Sequence, residues 1–307
     1  MKWNVIKFLL GLFLACSNLE LVAQFTKPLY HEVYPELPFS TEDVKKHKIE
    51  KILVYYDEYT RGKDDESGMI WSNKVIDYQL QRHLFVDQKI DKSTWYTPDN
   101  KRIKTFQYYY IGKNISVIDE ISYDSLQEEQ VDYNYIYTYK DTVPFQMVKM
   151  HNQDKQFRLL YDYTFDEKGR LKRQQTTSHG VAKKLETVLK AEEDIVMILV
   201  DRKNDMSTYR YYKNMSELQK SVRTFVNEKG HCYETTLKDG NNQLIYNIKY
   251  QYEADRLFME SYSKFDGVQV VTEKKIYFRY NEDDLLEKII TEKDNVQTIL
   301  TLQYFKE

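Results

Sequence analysis

Aromatic and polar residues alternate in the run YDYTF at 161–165, where Tyr161, Tyr163 and Phe165 stand at every second position. A strand puts such residues on one face and Asp162 and Thr164 on the other. A polar cluster from Asp166 to Gly169 follows, with glycine where a hairpin loop needs a residue that tolerates positive φ. Leu171 then restarts a polar run, increasingly β-branched and long enough to pair back, so the unit reads as a hairpin.

The same pattern recurs: an aromatic-x-aromatic pair, mostly polar residues, then an apolar restart. It is found in YYYIGKNI (108–115), YTYKDTVPF (137–145), YTFDEKGRL (163–171), YQYEADRL (250–257) and FRYNEDDLL (278–286). Degenerate copies fit near 188–195 and 209–218. Further turn signals lie at 152–155, 178–180, 227–230, 238–242, 265–267 and 293–295. A turn about every 10–15 residues is the spacing of strands joined by tight hairpins. The expectation is an all-β chain, a long antiparallel meander of roughly 14–18 Tyr-rich strands. So many strands accumulate twist, which predicts a strongly curved sheet or open barrel. Helical periodicity is confined to 40–48, around Val44, and to VIDYQLQRHLF at 75–85, which fits a strand equally well.

These units resemble the YD-repeat (Rhs-like) β-repeats of secreted bacterial proteins, built on Y-x-Y/F-D-x-x-G-x-L. Tyr163 to Leu171 matches that motif throughout. The other copies keep the aromatic pair but carry Ile111, Lys140, Glu253 or Asn281 in place of the Asp, and none has the matching Gly. The resemblance spans about residues 105–305 and implies a continuous antiparallel sheet. The chain also resembles short exported repeat proteins of Gram-negative bacteria with no assigned function.

The first 23 residues read as a secretory signal: Lys2 and Lys7, an apolar run from Phe8 to Ala15, and a Val22-Ala23-Gln24 end. The apolar run is too short to span a bilayer. A competing reading takes Phe13-Leu14-Ala15-Cys16 as a lipoprotein box, with Cys16 lipidated. Residues 24–47 hold three of the five prolines and read as an extended lead-in, and 48–307 as a single β-repeat domain. The chain has 28 tyrosines against 9 glycines, so Tyr must supply much of the packing. An amphipathic ring suits a sheet with one partly solvated face. A formal charge of −3 gives no argument for nucleic-acid binding. Cleavage after Ala23 would leave Cys232 as a lone thiol, expected to be a small buried hydrophobe.

Catalytic signatures are missing from the sequence. No two of the six histidines share a metal-ligand spacing, and neither 62–68 nor 281–284 supplies a calcium-loop pattern. The chain shows no G-x-S-x-G, Walker or dinucleotide fingerprint. The expectation is a non-enzyme with no cofactor and no metal. The aromatics remain as candidates for ligand binding: Tyr133, Tyr135, Tyr137 and Tyr139 share one strand face, and Trp95 adds a flat ring. The reading is an exported binding or interaction protein of the bacterial envelope, periplasmic, cell-surface or extracellular, engaging a glycan or an envelope protein. The alternatives are a lipid-anchored structural or assembly component and an outer-membrane barrel. Membrane contact follows only from lipidation at Cys16 or from a barrel, and charges on both faces of RLKRQQTT (170–177) argue against the barrel.

Overall fold

The computed structural model describes residues 39, 41–61, 71–140, 143–155, 157–165, 171–179, 191–203, 205–213, 216–294 and 296–306. The signal segment, Cys16, the acidic cluster at 62–68 and the Asp166–Gly169 turn lie outside the described residues.

The chain is all-β. Among the described residues one short helix, α1 (Thr41–Lys46), precedes β1 (Ile49–Arg61), β2 (Trp71–Val86), β3 (Lys89–Tyr96), β4 (Arg102–Ile111), β5 (Asn114–Tyr123) and β6 (Glu129–Lys140). Then come β7 (Val143–His151), β8 (Phe157–Phe165), β9 (Leu171–His179), β10 (Ala191–Lys203), β11 (Met206–Lys213) and β12 (Glu217–Val226). The last strands are β13 (Cys232–Asp239), β14 (Leu244–Glu253), β15 (Arg256–Asp266), β16 (Gln269–Tyr280), β17 (Leu286–Lys293) and β18 (Val296–Lys306). The helix falls within the stretch expected to be an extended lead-in; Glu42 and Asp43 in its first turn and Lys45 and Lys46 in its last complement the helix dipole. Val44, on its inner side, is 1 % exposed. The segment at 75–85 belongs to β2 and is strand.

The residues group into two compact units, one of Thr41–Ile136, Lys149–Gln156 and Tyr250–Glu307, the other containing Tyr137–Val148 and Phe157–Lys249. In the first, the antiparallel pairing order runs β15, β16, β17, β18, β1, β2, β3, β4, β5, β6, so β1 is bonded to β18 on one side and β2 on the other. A lateral row of apolar side chains crosses four of these strands: Phe278 opposite Ile289, Ile289 opposite Leu300, Leu300 opposite Tyr56. All four are buried, and the Tyr56 ring meets Tyr78 of β2 at 5.6 Å. Burial of side chains this size contributes about 1.5–3 kcal/mol each. In the second unit the antiparallel order runs β8, β9, β10, β11, β12, β13, β14.

Two kinds of hairpin loop recur. Asp87-Gln88 and Ala254-Asp255 have positive φ at both positions, the two-residue turn whose twist matches that of the flanking strands. The other kind has five residues: Thr97–Lys101, Asp124–Glu128, Asn227–His231, Asp239–Gln243 and Asn281–Leu285. In each, the first residue's N–H donates to the fifth carbonyl and the fourth N–H donates to the first carbonyl. The fourth residue is left-handed: Asn100, Gln127, Gly230, Asn242 or Asp284. In four copies the opening Asn or Asp side chain also accepts the N–H groups of the third and fifth residues, at 2.8–3.0 Å.

Candidate functional site

The expected aromatic site is mostly packing surface. On β6, Tyr135 and Tyr137 are both buried, and Tyr133 and Tyr139 are half-buried. Tyr133 lies under the Lys149 ammonium at 4.0 Å and edge-on to His151 at 5.3 Å. Tyr135 donates its hydroxyl hydrogen bond to Glu120. Tyr137 and Tyr139 meet each other at 6.5 Å. Trp95 is half-buried, edge-on to His83 and to Phe106. These rings are spent on their neighbours rather than presented as a row.

Glu120 is the centre of a polar cluster. It accepts from Tyr135 and, at 2.5 Å, from Lys104, with Lys149 at 3.7 Å. Burial pushes its carboxyl pKa up, but the Lys104 charge and the hydrogen bonds from Lys104 and Tyr135 outweigh that and hold it below the usual carboxylate range. Three strands across, on β2, His83 Nδ1 bonds Ser93 at 2.9 Å and Nε2 bonds Gln81 at 3.1 Å. Complete burial lowers the His83 pKa to about 3, so the ring is neutral.

The acids of 281–284 are turn residues: Asp283 pairs with Lys306 at 2.5 Å, and Asp284 pairs with Arg256. Cys232 is fully buried, its thiol 3.5 Å from the Thr235 hydroxyl. Among the described residues no group of three His, Cys, Asp or Glu side chains converges as a metal site.

A different arrangement occupies β11, β12 and β13. Arg210 stands opposite Ser221, and Ser221 opposite Lys238; one step along, Thr208 stands opposite Arg223, and Arg223 opposite Thr236. Strand alternation puts all six on one face. They line a cleft of about 260 Å³ with Leu218, Asp239 and Asn242. The opposite face carries Tyr209 opposite Val222, and Val222 opposite Leu237, with Ser207 and Thr224 buried beside them, and this anchors the three strands. The five-residue turn at Asp239–Gln243 closes one end, its Asp239 carboxylate accepting from Asn241 and Gln243. There a Cβ added to Gly240 would overlap the Leu218 carbonyl oxygen, so glycine lets the turn sit against β12.

Three cations against one carboxylate make the cleft electropositive. Among the described residues no hydrogen bond or ion pair engages Arg210, Arg223 or Lys238, and Thr208, only 6 % exposed, has a hydroxyl without a partner. Such a cleft offers charge-assisted donors to an anion. Sequence reading missed it because the cations lie on three strands, 13 and 15 residues apart. The turn signals at 227–230 and 238–242 were visible, but bringing Arg223 beside Thr236 needs the β12–β13 register, which includes a bulge near Val226.

No family model matches the chain, and no protein of curated function matches it. Among solved structures, a porin-like protein from Bacteroides vulgatus is similar at 12 % identity with a TM-score of 0.33, over 64 % of this chain and 95 % of that one. A porin-like protein from Bacteroides uniformis gives 6 % identity and a TM-score of 0.33, over 84 % of this chain and 97 % of that one. The TcdB2-TccC3 structure gives 11 % identity and a TM-score of 0.33, over 75 % of this chain but 14 % of that one. Likeness at this level carries no argument about function.

Proposed function

We propose that the chain is a non-enzymatic binding protein of the bacterial envelope and that the β11–β13 cleft holds an anionic group of its ligand, a glycan or an envelope protein. The observation that supports this reading is the set of three cations, unpaired among the described residues, around an open cleft lined by donors and by no nucleophile paired with a base. The envelope assignment rests on the signal-like segment 1–23.

The test uses the full chain expressed in a Gram-negative host, purified from the fraction where it accumulates, and titrated calorimetrically with hyaluronate, an acidic polysaccharide, and with neutral dextran. Saturable binding of hyaluronate alone, weakened by salt, is the expected result. Equal binding of both, or of neither, overturns an acidic-glycan ligand. Intact mass decides the anchoring: a mature start at Gln24 gives a free protein, and a lipidated start at Cys16 gives the lipid-anchored alternative.

A further inference from the structure

We infer that the β11–β13 cleft is a phosphoryl-binding site, taking a phosphate monoester on a sugar or phosphate itself. The inference rests on the binding reading above and specifies its chemistry. Directly opposite residues on neighbouring antiparallel strands lie about 4.5–5.5 Å apart and diagonal ones about 7–8 Å. Arg210 and Lys238 flank Ser221, and Arg223 is diagonal to both, so the three cationic side chains surround the Ser221 position.

Charge separates the candidate ligands. Three cations and the Asp239 carboxylate leave an excess matching the charge of about −1.5 to −2 on a phosphate monoester. A sugar carboxylate carries one charge and two oxygens, and would leave part of the cluster unmatched. A phosphoryl group has three terminal oxygens for two guanidinium forks and an ammonium. Hydroxyls complete the lining: Ser221, Thr236 and the buried, partnerless Thr208 Oγ1. At about 260 Å³ the cleft is below the roughly 300–1,000 Å³ of drug-sized ligand sites, so it fits a head group rather than a long saccharide.

The test is calorimetric titration of the full chain with inorganic phosphate, glucose 6-phosphate and glucuronate. Binding of both phosphates with at least tenfold preference over glucuronate is the expected result. Equal affinity for the two phosphates identifies free phosphate as the ligand chemistry, and a gain for glucose 6-phosphate identifies a phosphorylated sugar. Arg223→Ala should weaken either about tenfold, and Arg223→Lys should recover only part of the loss because the fork is gone. Thr208→Val gives the sharper readout. It removes a partnerless buried hydroxyl, so the melting temperature should rise while phosphate affinity falls. Glucuronate binding as tight as that of the phosphates, or affinity unaffected by Thr208→Val and Arg223→Ala in folded protein, overturns the phosphoryl assignment and leaves the acidic-ligand reading standing. Failure of phosphates, glucuronate and hyaluronate together overturns both.

Discussion

The strands β2–β6 and the strands β11–β13 both carry charged and hydroxyl side chains on paired antiparallel strands, yet they use them in opposite ways. Around Glu120 and His83 the polar groups, the buried Gln81 amide nitrogen excepted, answer one another: carboxylate to two lysines and a tyrosine, imidazole to a serine and an amide oxygen. Nearby on β3–β5, Thr105 bonds both Thr94 and Tyr123. Along β11–β13 three cations share a cleft with one carboxylate and find no partner among the described residues. An internally satisfied cluster specifies packing, whereas an unsatisfied one has binding capacity to spare. That contrast separates structural polarity from functional polarity in a chain with many charged residues.

Removing the centre of the satisfied cluster should have the largest effect. Glu120→Ala leaves Lys104 and Lys149 facing each other without their shared carboxylate, and Tyr135 without its acceptor. Glu120 is buried but Lys104 is 41 % exposed and can be rehydrated, so the cost falls between the about 1 kcal/mol of a surface pair and the about 3–5 kcal/mol of a fully buried one. Urea unfolding should show a loss of that order. A loss under about 1 kcal/mol would mean the cluster behaves like an exposed surface pair.

Acid should act on the same region. His83 has a folded pKa near 3, against 6.5 for a free histidine, so between those values the unfolded chain binds a proton that the folded one does not. The contribution is therefore full above pH 6.5 and is lost as pH falls towards 3. At pH 5 the loss is about 2 kcal/mol relative to pH 7, from about 1.4 kcal/mol per unit. Unfolding free energies of the wild type and His83→Gln, measured at both pH values, should differ in slope by that amount. Parallel slopes would show that His83 protonates freely in the folded protein.

Turn chemistry marks how much of this molecule was legible beforehand. Tyr alternation and turn spacing identified an antiparallel meander, because strand period and glycine tolerance are local properties. The turn at the end of each repeat accepts more residues than the Y-x-Y/F-D-x-x-G-x-L signature names. Gly at its fourth loop position is one of several residues that can be left-handed: Asn281–Leu285 uses Asp284 there, and Thr97–Lys101 uses Asn100. What matters is an oxygen at the first position and a tolerant residue at the fourth. Asn281→Ala removes the acceptor for the Asp283 and Leu285 N–H groups and should cost about 1 kcal/mol, read from a shifted urea midpoint. The cleft was illegible for a different reason. Its cations lie on three strands, and a one-residue slip in register would move them to the other face.

The smallest expected effect is the one that most directly tests the contrast. Arg223 is exposed, has no partner among the described residues, and stands diagonal to Arg210 and Lys238. Removing a surface residue of this kind changes stability within about 0.5 kcal/mol. Like charges brought together on a sheet repel, so the sign of that small change should favour Arg223→Ala, opposite to the sign at Glu120. Salt provides the control. At ~0.01 M ionic strength the screening length is about 30 Å and the repulsion persists, whereas at ~1 M it is about 3 Å and the repulsion is lost. The variant should melt slightly above the wild type at low salt and level with it at high salt. If Arg223→Ala melts well below the wild type in both conditions, the guanidinium is a structural group, and the cleft loses the feature that sets it apart from the Glu120 cluster.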